Sequence, residues 1–161
     1  MVARDLNRGP ASLAGGAACF GTVLERRATL LRRVERRRID ASPFGLPPVA
    51  FHLKHIARST DRLLSYAEGR TLSADQLAAK QSELDATSTR EQLFSELEAA
   101  LKRSGVRIRG VSPSRLDEVR LVGRKQLPTT VAGLLVHVAD HVQRHVGQAV
   151  TTSKIVLAQR R

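Results

Sequence analysis

Three histidines recur at every fourth position in His137-Val-Ala-Asp-His141-Val-Gln-Arg-His145. Imidazoles four apart lie one turn apart on the same face of a helix. Two so placed can chelate one metal ion, and a third can arrive from a neighbouring helix. The chain's other two histidines, His52 and His55, sit close together in a second helical segment. Three neutral imidazoles suit Zn2+, Ni2+ or Fe2+ and leave coordination positions open. An ion held this way keeps its full 2+ charge and generates hydroxide or thiolate near neutral pH. A single histidine beside an apolar stripe is more often a hydrogen-bonded residue at the core boundary. From spacing alone the two readings stand level.

The elements that carry these residues can be placed from hydrophobic periodicity. The last helix is expected over about residues 130–158, with Val131, Leu135, Val138, Val142, Val146, Ala149 and Ser153 at its apolar centre. On a wheel of 100° per residue, His145 lies about 60° from that centre, His141 about 100° and His137 about 140°. A chelating pair on this helix is therefore His141 and His145, with His137 nearer solvent and Gly147 leaving room for a ligand or a close helix. The second histidine helix is expected over residues 48–68, entered through Pro47-Pro48 and stopped at Gly69. There His52 lies about 80° from the stripe centre and His55 about 140°. Periodicity prefers His52 as the inward residue.

Other helices are expected over 20–39, over 73–86 with Ser73 and Gln76 as a capping box, and over 90–103 with Thr89 as cap and Gly105 as stop. Residues 106–127 read as irregular, and residues 1–18 as a loosely ordered arm. The result is an all-α protein: an antiparallel up-and-down four-helix bundle with an extra short helix and a long loop before the last helix. With 161 residues and 42% hydrophobic content it reads as one domain over 1–161.

Net charge is +12, of which +5 falls in residues 1–41, densest at Arg32-Arg-Val-Glu-Arg-Arg-Arg38. That block reads either as a phosphate-contacting arm or as a solvated helix face. The second is preferred, because the chain has no Trp, only four Phe and one Tyr to stack bases, and no nucleic-acid motif. Cys19 is the only cysteine, which excludes an internal disulfide and favours the cytoplasm. Gly15, Gly16 and Gly21 break the mild apolar run over 11–24, so export is not expected. No stretch reaches the roughly 18 apolar residues of a membrane span.

The motifs resemble those of the DinB-like superfamily, which includes the YfiT-type proteins. Its C-terminal signature is His-x3-His-x3-His-x-Gly-Gln, present as His137, His141, His145, Gly147 and Gln148. Its other signature is His-Ile followed about a dozen residues on by Gly, present as His55-Ile56 with Gly69. The likeness covers residues 42–158; residues 1–41 are more arginine-rich than the family's usual first helix.

The resemblance implies a three-histidine centre for a divalent ion (Zn, Ni or Fe), with His55, His141 and His145 as ligands. The last two agree with the wheel. His55 does not, so His52 stays as its alternative unless the helix is buried on two sides. Relatives include bacillithiol and mycothiol transferases and maleylpyruvate isomerase. The expected function is therefore a metal-dependent enzyme that activates a thiol or water, taking a small-molecule substrate such as a low-molecular-weight thiol. His52 and Asp140 are expected to orient ligands, and Arg58, Arg62 or Arg144 to hold an anionic substrate. The alternatives are a non-catalytic metal-stabilised or ligand-sensing bundle and an Arg-driven nucleic-acid binder. Neither a membrane nor nucleic acid is an expected partner, and a homodimer is.

Overall fold

The computed structural model describes residues 31–34 and 38–159. Its regular elements are α1 (Val49–Ala67), α2 (Ala74–Gln81), α3 (Arg90–Arg109), β1 (Val119–Val122), β2 (Leu127–Thr130) and α4 (Val131–Ala158). Short 3-10 turns lie at Pro43–Gly45 and Pro113–Arg115. The fold is mostly helical with one small two-stranded antiparallel sheet.

α1 is the organising element, packing against α4, α3 and α2. Leu53, Ile56 and Ala57 of α1 meet Leu93, Phe94 and Leu97 of α3 and Val142, Val146 and Ala149 of α4 in one apolar cluster. Leu31, Val34 and Ile39 join it from the segment before α1. A helix covered on more than one side buries residues well beyond a single stripe. Accordingly His52, Lys54, Ser59, Thr60, Arg62 and Ser65 are all buried.

The helix ends follow local chemistry. α1 closes at Gly69, whose φ of 80° is free of strain only without a Cβ. The Arg70 amide donates to the Ser65 carbonyl at 2.8 Å and the Gly69 amide to the Tyr66 carbonyl at 2.9 Å, a Schellman closure. Ser73 with Gln76, and Thr89 with Gln92, form complete capping boxes at the starts of α2 and α3. Thr89→Ala is expected to lower stability by about 1 kcal/mol. Urea unfolding checks this; an unchanged midpoint would show that the Thr89 cap contributes nothing.

Three expectations need correction. α3 does not stop at Gly105 but continues to Arg109 and turns at Gly110. A mid-helix glycine is only mildly unfavourable, and Arg107 anchors this last turn by hydrogen bonds to Asp61 of α1 and to Glu68 just past its end. The stretch read as an irregular loop contains the hairpin β1–β2, with Val119 opposite Thr130 and Val122 opposite Leu127. Its turn is carried by Gly123 and Gln126 at positive φ. Arg120 fastens it to α1 through the Ala67 carbonyl at 3.0 Å. The helix expected over 20–39 lies mostly outside the described residues. Within them, Leu31 is helical while Arg32–Val34 and Ile39–Asp40 are turns.

Candidate metal centre

The five histidines sit on the facing helices α1 and α4. His55, His141 and His145 each bring one ring nitrogen into a group whose members all lie within 4.8 Å of one another. His55 Nε2 stands 2.9 Å from His141 Nε2. The His145 ring is 4.3 Å from that of His55 and 4.6 Å from that of His141, centroid to centroid. All three are half-buried, so the cluster is sheltered yet open on one side. Phe51 walls it, stacked on His55 at 5.2 Å with 23° between planes and edge-on to His145.

Buried polar groups determine which nitrogens face the centre. The Glu83 carboxylate accepts from His55 Nδ1 at 2.6 Å. In neutral His55 the proton therefore sits on Nδ1 and the Nε2 lone pair points at His141. Burial pushes the Glu83 carboxyl up, but hydrogen bonds from His55 and Arg62 bring it net below its ordinary value. Arg62 Nη1 donates to its other oxygen at 2.8 Å, and both partners are buried. On the far side, His52 Nδ1 lies 3.1 Å from His145 Nδ1, which leaves His145 Nε2 for the cluster.

Glu83 lies in no regular helix or strand. It is delivered by a basic stripe on α1 spaced at i, i+4, i+8. Lys54 Nζ donates to the Asp85 carbonyl. Arg58 Nη1 donates to the Ala79 carbonyl at 2.8 Å and to Ser82 Oγ at 3.0 Å. Arg62 takes Glu83 itself.

The donor set fits a divalent ion. Two imidazole nitrogens on one tetrahedral zinc lie about 3.3 Å apart, given Zn–N bonds of about 2.0–2.1 Å. The His55–His141 pair, at 2.9 Å, is within a few tenths of an ångström of that, and the His145 nitrogen lies within 4.8 Å of both. Burial, followed by repulsion from His145 and His55, pushes His141 down to about 4. Burial, then His55 and Arg144, does the same to His145, also to about 4. Both rings are therefore neutral at pH 7, the form that ligates metal.

The same depression makes the metal-free protein acid-sensitive. His52 too is pushed down to about 4 from an ordinary 6.5, first by burial and then by His145 and His55. Between about pH 4 and 6.5 the unfolded chain binds more protons than the folded one. Stability is thus full above 6.5 and is lost as pH falls through that window. Urea midpoints of metal-free protein are expected to fall from pH 7 to pH 5, and His141→Gln to flatten the slope. Level midpoints across that range would contradict the buried neutral cluster.

His137 is exposed, with its ring 5.6 Å from that of His141, and stands outside the three-membered group. His52 and His55 are both inward, so the wheel and the signature each describe one side of α1. Asp140 does not reach the cluster: it pairs with Arg144 on the exposed face of α4. Arg58 and Arg62 are not free for a substrate, because Glu96 and Glu83 already hold them. Gly147 marks no close approach, since a Cβ there would meet nothing within 4 Å among the described residues. In the basic block, Arg32 bonds Glu98 and lies over the Phe94 ring at 4.3 Å, and Arg38 donates to the Val156 carbonyl at 2.9 Å. These two serve the fold. Arg36 and Arg37 lie outside the described residues.

No helix among the described residues is long and apolar enough to cross a membrane. A family model described as the DinB superfamily matches residues 19–149, a span that includes all five histidines. No curated protein matches the chain.

Proposed function

The chain belongs to the DinB superfamily, and on that premise we propose that it holds one divalent ion between His55, His141 and His145 and uses it to activate a small thiol or water. The observation that carries this is the convergence of three imidazole nitrogens, from two helices, within 4.8 Å on a half-exposed face. Three protein ligands leave a coordination position open, as catalytic rather than structural sites do. When bound, the ion would act as a Lewis acid that favours the deprotonated form of a thiol or water.

The chain's own groups supply the rest. Glu83, neutralised by Arg62, holds the His55 ring in one tautomer. Phe51 gives the mouth an apolar wall suited to the carbon skeleton of a small substrate. The finer architecture we propose is the family's antiparallel four-helix bundle, built from residues 1–161 as one domain.

Cobalt(II)-loaded protein titrated with a low-molecular-weight thiol tests this function. A new sulfur-to-cobalt absorption band that saturates with thiol is the expected result. A visible spectrum unmoved by thiol, and by pH between 6 and 9, would contradict an open reactive position and leave a metal-stabilised bundle without catalysis.

A further inference from the structure

His52 is 1% exposed, yet it bears no ligand atom of the three-histidine group. Its Nδ1 lies 3.1 Å from His145 Nδ1, while its buried Nε2 has no hydrogen-bond partner among the described residues. A buried polar atom left unpaired is unfavourable, so its retention asks for a reason.

We propose that His52 is the positioning residue of His145, accepting the His145 Nδ1–H on its own Nδ1 so that the His145 Nε2 lone pair faces the centre. Two neutral imidazoles meeting Nδ1 to Nδ1 share one proton, and only two arrangements exist. In one, His145 donates: His145 Nε2 is bare, and His52 carries its proton on the partnerless Nε2. In the other, His52 donates, and the His145 proton moves to Nε2, where it blocks ligation. The first is the arrangement a metal ion selects. It parallels the other side of the site, where Glu83 accepts the His55 Nδ1–H at 2.6 Å. Two of the three rings are thus fixed through Nδ1 by buried acceptors, one anionic and one neutral. His52 can play no closer role while its Nδ1 faces His145 and its Nε2 is enclosed.

The inference rests on the reading of His145 as a ligand, and one experiment separates the two. Zinc affinity is measured by competition with a chromophoric chelator for the full chain and for His52→Leu and His52→Gln. His52→Leu is expected to weaken zinc about 10–100-fold, the range for losing an outer-shell partner. His52→Gln, whose side-chain carbonyl can accept, is expected to recover most of that loss. Long-range proton–nitrogen spectra of the zinc-loaded wild type are expected to show His52 protonated on Nε2, a readout independent of whether either variant folds. Unchanged affinity in His52→Leu, or a His52 proton on Nδ1, overturns the positioning role alone. Complete loss of zinc in both variants overturns it in favour of His52 as a ligand. A wild type that binds no zinc overturns the metal centre itself.

Discussion

Glu83→Ala is expected to destabilise the metal-free protein by about 3–5 kcal/mol, because it strands a buried guanidinium. Arg62 is 8% exposed, and Glu83 is its only salt-bridge partner among the described residues. The same change frees His55 Nδ1. Zinc affinity should therefore fall a further 10–100-fold in protein that is still folded. The two effects separate in a double variant. Glu83→Leu with Arg62→Met removes both charges, so much of the stability should return while the zinc defect persists. Urea unfolding and zinc titration of the single and double variants check this. A Glu83→Ala protein within about 1 kcal/mol of wild type would mean that water, not Glu83, satisfies Arg62.

Removing a ligand should act more severely on metal and hardly at all on fold. His141→Ala and His55→Ala are each expected to weaken zinc by more than the roughly 100-fold limit of an outer-shell change. Both side chains are half-buried, so little core is lost with them. Zinc at about 1,000 times its dissociation constant should stabilise the wild type by about 4 kcal/mol, and these variants by nearly nothing. His137→Ala should behave as wild type, since His137 is exposed and outside the group. A thermal melt with and without zinc reads all three. Equal stabilisation of wild type and His141→Ala would place the ion elsewhere.

Features governed by local chemistry could be read in the sequence. The i, i+4 spacing puts His141 and His145 on one flank of α4. Ser73, Thr89 and Gly69 mark helix ends because caps depend on residues within one turn. Features governed by tertiary packing could not. Choosing between His52 and His55 assumed one buried stripe on α1, whereas α1 packs against α2, α3 and α4 and takes both inside. Glu83 sits 28 residues from His55, in a stretch expected to be helical over 73–86 whose helix in fact ends at Gln81. A signal for it existed in Lys54, Arg58 and Arg62, three basic residues four apart on the helix that carries His52 and His55. Basic residues at such positions need partners, which argues for the fold before any substrate. The hairpin was hidden because each strand is four residues long and β2 contains Pro128.

The most direct test of the three-histidine centre is metal content by elemental mass spectrometry on untagged protein, as purified and after loading with Zn2+, Ni2+ or Fe2+ and desalting. The geometry predicts close to one ion per chain, lost in His55→Ala and His141→Ala. Protein that retains no ion after loading with any of the three metals would contradict a metal centre. The cluster would then be a hydrogen-bonded structural feature of the helix pair.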